Sequence, residues 1–183
     1  MTTLRPREVP VDPSSVPTVV SYSDGEGADA SVGVGVWLPC GRVVAGYVQV
    51  PESLRRVWSR RDPDGDGFRD IFQVEAVGPA LILANFESFS PPDALWLHFI
   101  DNESALAALV RGSSSVLSGD CVTAYTHRLI SQYGLRAWFD RVDSAANPVD
   151  KLSRGVFKGE WELLPIVFPA DLISDLESFI SGP

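Results

Sequence analysis

Cysteine is nearly absent from this chain: Cys40 and Cys121 stand alone, in no CxxC pair and no Cys/His cluster. That excludes a disulfide framework and a zinc site of the usual spacing, and a reducing compartment fits. Basic residues are also few. Fifteen Lys and Arg against 24 Asp and Glu leave a net charge of -9, so phosphate neutralisation cannot supply the affinity of a tight, free-standing nucleic-acid binder. Weak or tethered binding stays compatible with that charge, as does an acidic site neutralised only by bound divalent ions. Long apolar runs are missing as well. No window approaches the ~20 apolar residues of a membrane helix, and Met1 to Val11 contain no apolar h-region, so the expectation is a soluble intracellular protein without a membrane partner.

What is present suffices for a core. A length of 183 residues with 45 % hydrophobic and 21 % charged content is ordinary for one globular domain with tails. Residues 1 to 17, with Pro6, Pro10, Pro13 and Pro17 among polar neighbours, read as an extended leader or linker. Three β-like runs follow, Thr18 to Ser23, Ser31 to Leu38 and Arg42 to Val50, separated by the turn signals Asp24-Gly25-Glu26-Gly27 and Pro39-Cys40-Gly41. They predict an antiparallel meander. Asp24 lies where a rigid strand ends, with glycine backbone beside it; a plain Asp-Gly turn is the simpler reading and a metal ligand the chemical one.

Within Pro51 to Gly67 the Arg-rich part, Arg55 to Arg61, reads as a solvated loop, with a phosphate-contacting role as the alternative. The acidic part, Asp62 to Gly67, imitates a calcium loop, but Gln73 stands where the bidentate Glu belongs, so a turn ahead of a helix is favoured. Phe68 to Phe89 reads as that helix, weakened or kinked at Gly78-Pro79. Glu75 falls within its apolar setting and needs a cation, because burying an unpaired carboxylate is costly.

Asp93 to Ile100 is too apolar for alternation and predicts a central strand covered on both faces, with His98 as a core residue rather than a ligand. Asp101 then sits at a strand's C-terminal end before a helix over Ala105 to Val110 that Gly112 closes. It can serve as helix N-cap, as site residue, or as both. Val122, Tyr125, Leu129 and Tyr133 recur at helical spacing, with His127 off the stripe and expected to be exposed. Leu135 to Val142 predicts a fifth strand, and a short helix beginning near Pro148 places Asp150 in its first turn. Pro169 to Ile180 is amphipathic and predicts a last helix packed on the body.

The order β-β-β-α-β-α-α-β-α, with Asp, Glu, Asp and Asp at these places, resembles the ribonuclease H fold and its acidic site. Four stretches carry the resemblance: Tyr22-Ser23-Asp24-Gly25, Ile71 to Ala76, Phe99 to Ala105, and Ser144 to Gly155. The last is similar to the Asn-Pro-x-Asp-x-x-Ser-Arg-Gly ending of ribonuclease H domains in reverse transcriptases of retroelements and some viruses. The resemblance implies an α/β ribonuclease H-like domain over 18-156, with a five-stranded mixed sheet flanked by helices, and a C-terminal extension over 157-183 holding a short helix. It also implies an endonuclease that hydrolyses the RNA strand of an RNA/DNA hybrid with two ions, Mg²⁺ or Mn²⁺, and offers an upstream reverse transcriptase domain as a partner. Catalytic and metal-binding roles then fall to Asp24, Glu75, Asp101 and Asp150, with Asp24 bridging both ions. Substrate contacts fall to Gly25, Asn102, Asn147 and Arg154, although capping and surface solvation are equally open to the last three.

Two features of cellular relatives are missing. The Asp143 to Asn147 loop has no His, and no basic protrusion is evident between the third and fourth helical segments. Turnover and independent substrate affinity are the properties these absences touch. Two other classes therefore stand beside the nuclease: an inactive ribonuclease H-like module for structure or partner binding, and a two-metal DNA nuclease or strand transferase of the same fold.

Overall fold

A computed structural model describes residues 16–59, 71–85, 94–157 and 160–181. The leader up to residue 15 and the calcium-like loop 62–67 lie outside the described residues. Strands β1 (Thr18–Glu26), β2 (Ser31–Trp37) and β3 (Val43–Gln49) form the expected antiparallel meander. β1 runs further than the turn signal implied. Asp24, Gly25 and Glu26 stay in the ladder opposite Gly33, Val32 and Ser31, and the reversal falls on the residues after them.

β4 (Leu95–Ile100) pairs parallel with β1, and β5 (Arg136–Arg141) parallel with β4. A two-residue strand, β6 (Glu162–Leu163), adds parallel to β3, giving the order β5-β4-β1-β2-β3-β6. The sheet is thus six-stranded rather than five-stranded. An antiparallel meander continued by parallel strands and flanked by helices is the ribonuclease H-like layout, and the sixth strand is an addition at its β3 edge.

Alternation gives the sheet two distinct faces. On the first, Val19, Val32, Val34, Val36, Val44, Trp96 and Ile100 are buried within the large apolar cluster. Helices α2 (Ile71–Ala76) and α3 (Gly78–Asn85) lie over β1 and β2, while α4 (Glu103–Arg111) packs beside β4 and β5. α5 (Leu117–Gln132) crosses α2 and α3. The expected long helix is two, broken at Val77 ahead of Gly78-Pro79, because proline supplies no N–H and crowds the turn before it.

Two further expectations need correction on this side. Residues 52–59 are not loop but helix α1 (Glu52–Ser59), since Leu54 and Trp58 at i and i+4 bury one stripe while Glu52 pairs with Arg56 at 3.0 Å. His127 is half-buried, with Nε2 2.8 Å from the Leu109 carbonyl, so its place off the apolar stripe turns it toward α4 and not toward solvent. The C-terminal residues reach the same core: Ile166, Phe168, Leu172 and Leu176 are buried, and α7 (Ala170–Ser181) packs on α1 and α5.

The second face carries far less. Among the described residues Ala45, Val149 and Leu152 form its buried cluster, with Tyr22, Trp37, Tyr47 and Trp161 packed around them. Its cover is α6 (Asp150–Ser153), one turn long, which Gly155 ends in the left-handed conformation at φ 70°. β4 is therefore not covered equally on both sides: Trp96, His98 and Ile100 are buried, whereas Leu95, Leu97 and Phe99 are half-buried. Among the described residues no helix is long and apolar enough to cross a membrane.

Candidate metal centre

The acidic site lies at the sheet edge where the covers of the two faces meet. β1 brings Asp24 there, α2 brings Glu75 from the first face, and Asp101 follows the last residue of β4. One carboxylate oxygen from each of these three lies within 4.8 Å of the other two. Asp150, the first residue of α6, approaches from the second face without joining that group. Its Oδ1 instead accepts from Arg154 Nη2 at 2.8 Å, one helical turn on.

Backbone chemistry explains the close approach. A Cβ on Gly25 would stand 3.1 Å from the Glu75 carboxyl carbon and backbone nitrogen, so glycine lets α2 settle against the end of β1. The Gly25 backbone also lies near enough to the Glu75 carboxylate to favour its charged form. On the opposite face a Cβ on Gly33 would meet the Ser153 nitrogen at 2.5 Å, and bare backbone there is what admits α6. Gly25 is therefore a packing partner of Glu75.

Charge crowding follows from this packing. Burial, then the neighbouring charges of Asp24 and Asp101, pushes the Glu75 carboxyl up to about 9. Asp24 rises to about 6, mainly through burial, with Asp101 and Asp150 adding to the rise and Ser153 and Arg154 opposing it. Two buried oxygens, Glu75 Oε2 and Asp101 Oδ1, have no hydrogen-bond partner. Glu75 and Asp101 lie close enough to share a proton, which serves these oxygens when Glu75 is neutral, and together with Asp24 the same oxygens could hold a metal ion in its place. Hard oxygens within this spread suit a divalent ion such as Mg²⁺ or Mn²⁺, whose ligands stand about 2.0 to 2.3 Å from it.

The other sequence-predicted residues take varied places. Asn147 is buried: its Nδ2 donates to the Ser23 carbonyl at 3.0 Å and lies 3.4 Å from Asp24 Oδ1, while its Oδ1 accepts from the Val149 N–H. It ties the approach to α6 onto the strand bearing Asp24. Asn102, and not Asp101, is the N-cap of α4, accepting from the Ala105 N–H at 3.0 Å. Arg154 is largely exposed, so its guanidinium faces both Asp150 and solvent.

Two contributors carried no assigned role in the sequence reading. Ser144 donates to Asp101 Oδ2 at 2.7 Å from the 3-10 turn Ser144–Ala146, in the loop that lacks a His. Nothing local in the sequence marks it. Ser153 belongs to the Asn-Pro-x-Asp-x-x-Ser-Arg-Gly stretch; its hydroxyl donates to the Asp150 carbonyl and lies against Asp24, and its own carbonyl accepts from Ser31.

No family model matches this chain, and no curated protein matches it. Among solved structures the chain is similar to the N-terminal ribonuclease H domain of a Mycobacterium tuberculosis protein, determined as a fusion with maltose-binding protein. The two share 17 % identity over 76 % of this chain and 92 % of that one, with a TM-score of 0.48.

Proposed function

We propose that the chain is a metal-dependent endonuclease that hydrolyses the RNA strand of RNA/DNA hybrids, with Asp24, Glu75, Asp101 and Asp150 holding two divalent ions, Mg²⁺ or Mn²⁺. The observation that carries this reading is the convergence of Asp24, Glu75 and Asp101 within 4.8 Å, from three elements far apart in sequence. Bound there, such ions supply charge neutralisation at the scissile phosphate, an activated water and a stabilised leaving oxygen. Asp24 stands between the partners from the two faces, which suits it to contact both ions. Glu75 and Asp101 serve one side of it, and Asp150 the other once its carboxylate turns from Arg154. Arg154 would then offer its guanidinium to a phosphate, and the Asn102 amide N–H₂ would meet the sugar-phosphate chain beside Asp101.

Substrate affinity is weak and salt-sensitive in this reading. The net charge is -9, and the residues 112–116 that join α4 to α5 contain no Lys or Arg. A neighbouring polymerase domain would supply the missing contacts; that part of the reading rests on the sequence resemblance alone. The test is cleavage of labelled RNA/DNA hybrid by the purified chain with Mg²⁺, Mn²⁺ or chelator, beside single-stranded RNA and duplex DNA. Cleavage of duplex DNA in preference to the hybrid would replace this reading with the DNA-nuclease one. A second reading, a catalytically weak module that binds metal, is favoured by the Arg154 pairing of Asp150; inert protein whose melting nonetheless rises with Mn²⁺ would select it.

A further inference from the structure

Directly beneath the acidic site, on the first face of the sheet, lies a polar chain that the proposed chemistry does not use. Trp96 Nε1 is 2.8 Å from Ser21 Oγ, Ser21 Oγ is 2.9 Å from His98 Nδ1, and His98 Nε2 is 3.2 Å from Ser23 Oγ. Ser21, Ser23 and His98 are wholly buried and Trp96 is 1 % exposed. The direction of the chain follows from its first member. Indole nitrogen only donates, so Ser21 Oγ accepts there and its own proton is free for His98 Nδ1; the tautomer that accepts it carries Nε2–H and donates to Ser23. Burial keeps the imidazole neutral, pushing it down to about 3.

The place of the last bond is what matters. The ladder between β1 and β4 ends at Tyr22 opposite Phe99. Asp24 and Asp101 each lie two residues beyond that last pair, on strand ends that no further ladder contact holds together. Ser23 is the residue between, and His98 reaches it from below. We propose that His98 is a positioning residue for the acidic site: through Ser23 it fixes the spacing between the ends of β1 and β4, and with it the separation of Asp24 and Asp101. This rests on the reading of Asp24, Glu75 and Asp101 as a metal site.

Mn²⁺ affinity by calorimetry, read beside the melting temperature of the metal-free full chain, separates positioning from bulk stability. Ser23→Ala removes the upper bond and is expected to weaken Mn²⁺ binding about tenfold, the energy of one buried hydrogen bond. Ser21→Ala lowers melting by disrupting the lower bonds and leaves Mn²⁺ affinity within about threefold. Glutamine places its amide nitrogen near the position of imidazole Nε2 and asparagine places its own near Nδ1. His98→Gln is therefore expected to keep Mn²⁺ affinity and His98→Asn to lose it, although both melt lower. Equal losses in His98→Gln and His98→Asn, or unchanged affinity in Ser23→Ala, overturn the proposal while leaving the metal site standing. A wild type that binds no Mn²⁺ removes both. Should the variants fail to fold, nitrogen NMR of the wild-type imidazole decides: neutral Nε2–H at pH 7 is expected, and an Nδ1–H tautomer or an imidazolium overturns the proposal.

Discussion

The two faces of the sheet are built by different means. The first is covered by helices from four segments of the chain and by the C-terminal residues, all sharing one apolar cluster in which Leu54, Leu81, Leu109, Leu172 and Leu176 are fully buried. On the second, a single turn of helix rests on the bare backbone of Gly33 and Gly35, with aromatic side chains around a three-residue cluster. Stability is concentrated on the first face. In the proposed reading the site draws Glu75 from it and Asp150, Asn147 and Ser153 from the second, so the thinner face would matter to the chemistry out of proportion to its burial. Loss of packing should therefore separate from loss of function according to the face on which it occurs.

The largest effect is expected where the two faces meet. Asp24→Asn keeps the shape of the side chain and removes the charge nearest both sets of ligands, so cleavage of hybrid RNA should fall by about three orders of magnitude or more. The fold should survive, and the metal-free protein should melt at the same temperature or higher, because one of several crowded carboxylates is gone. Hybrid cleavage and melting measured together check both halves, and equal cleavage by Asp24→Asn would mean that the site is elsewhere.

Next come matched packing changes. Leu81→Ala opens a cavity on the first face and should cost about 2 to 5 kcal/mol of unfolding free energy while sparing Mn²⁺ affinity in the folded fraction. Gly33→Ala drives a methyl into the Ser153 backbone, which must move. Overpacking of this kind costs about 1 to 3 kcal/mol. Despite the smaller expected loss of stability, this variant should lose most hybrid cleavage, since α6 carries Asp150 and Ser153. Urea unfolding with parallel activity assays tests the contrast; it fails if Gly33→Ala, once folded, cleaves as well as Leu81→Ala.

A smaller effect concerns protons. Between its ordinary value of 4.5 and about 9, folded Glu75 keeps a proton that the unfolded chain has released. Folding then takes up protons, and stability falls as pH rises through that window; Asp24 adds the same sign between 3.8 and about 6. Metal-free protein should melt lower at pH 8.5 than at pH 6. Glu75→Gln should lessen that fall, and saturating Mn²⁺ should reverse it, because the ion favours the ionised carboxylates. A melting temperature of metal-free wild type that rises from pH 6 to 8.5 would contradict the crowding described for the site.

How much of this was legible in the sequence also divides by face. Strands β1 to β5 and helices α4 and α5 were readable from apolar residues that recur at regular spacing or, in β4, form a run too apolar to alternate, between turn and stop signals. The carboxylates stood out as acidic residues in apolar or strand-end settings. Helix α1 was missed because its Arg-rich surface hid the Leu54 and Trp58 stripe. β6 was missed because two ladder pairs to β3, with Arg42 meeting Glu162 at 2.6 Å, leave no periodic signal in two residues. Ser144 reaches Asp101 through a loop whose shape only the assembled strands determine. Asn147 was visible in its motif, yet its burial against Ser23 and Asp24 depends on β1 running past its turn signal. Local pattern thus revealed the elements, and tertiary closure decided which polar side chains hold the site and which face solvent.

The smallest expected effect belongs to Arg154, on the outer rim of the thinner face. Its pair with Asp150 spans one helical turn, and the Arg154 side chain is 62 % exposed. Such pairs contribute about 0.3 to 0.5 kcal/mol, so Arg154→Met, which keeps the apolar stem, should hardly change melting. Its consequences for ligands have opposite signs. Removing the guanidinium frees Asp150 and takes a positive charge from the site, so Mn²⁺ should bind slightly tighter, by about two- to fivefold. The hybrid loses a phosphate contact, so KM should rise and the salt dependence of binding should become shallower by about one counterion. Calorimetry with Mn²⁺ and cleavage kinetics at two salt concentrations measure both. If Mn²⁺ binds more weakly and KM is unchanged, Arg154 orders Asp150 for the metal and does not meet the substrate.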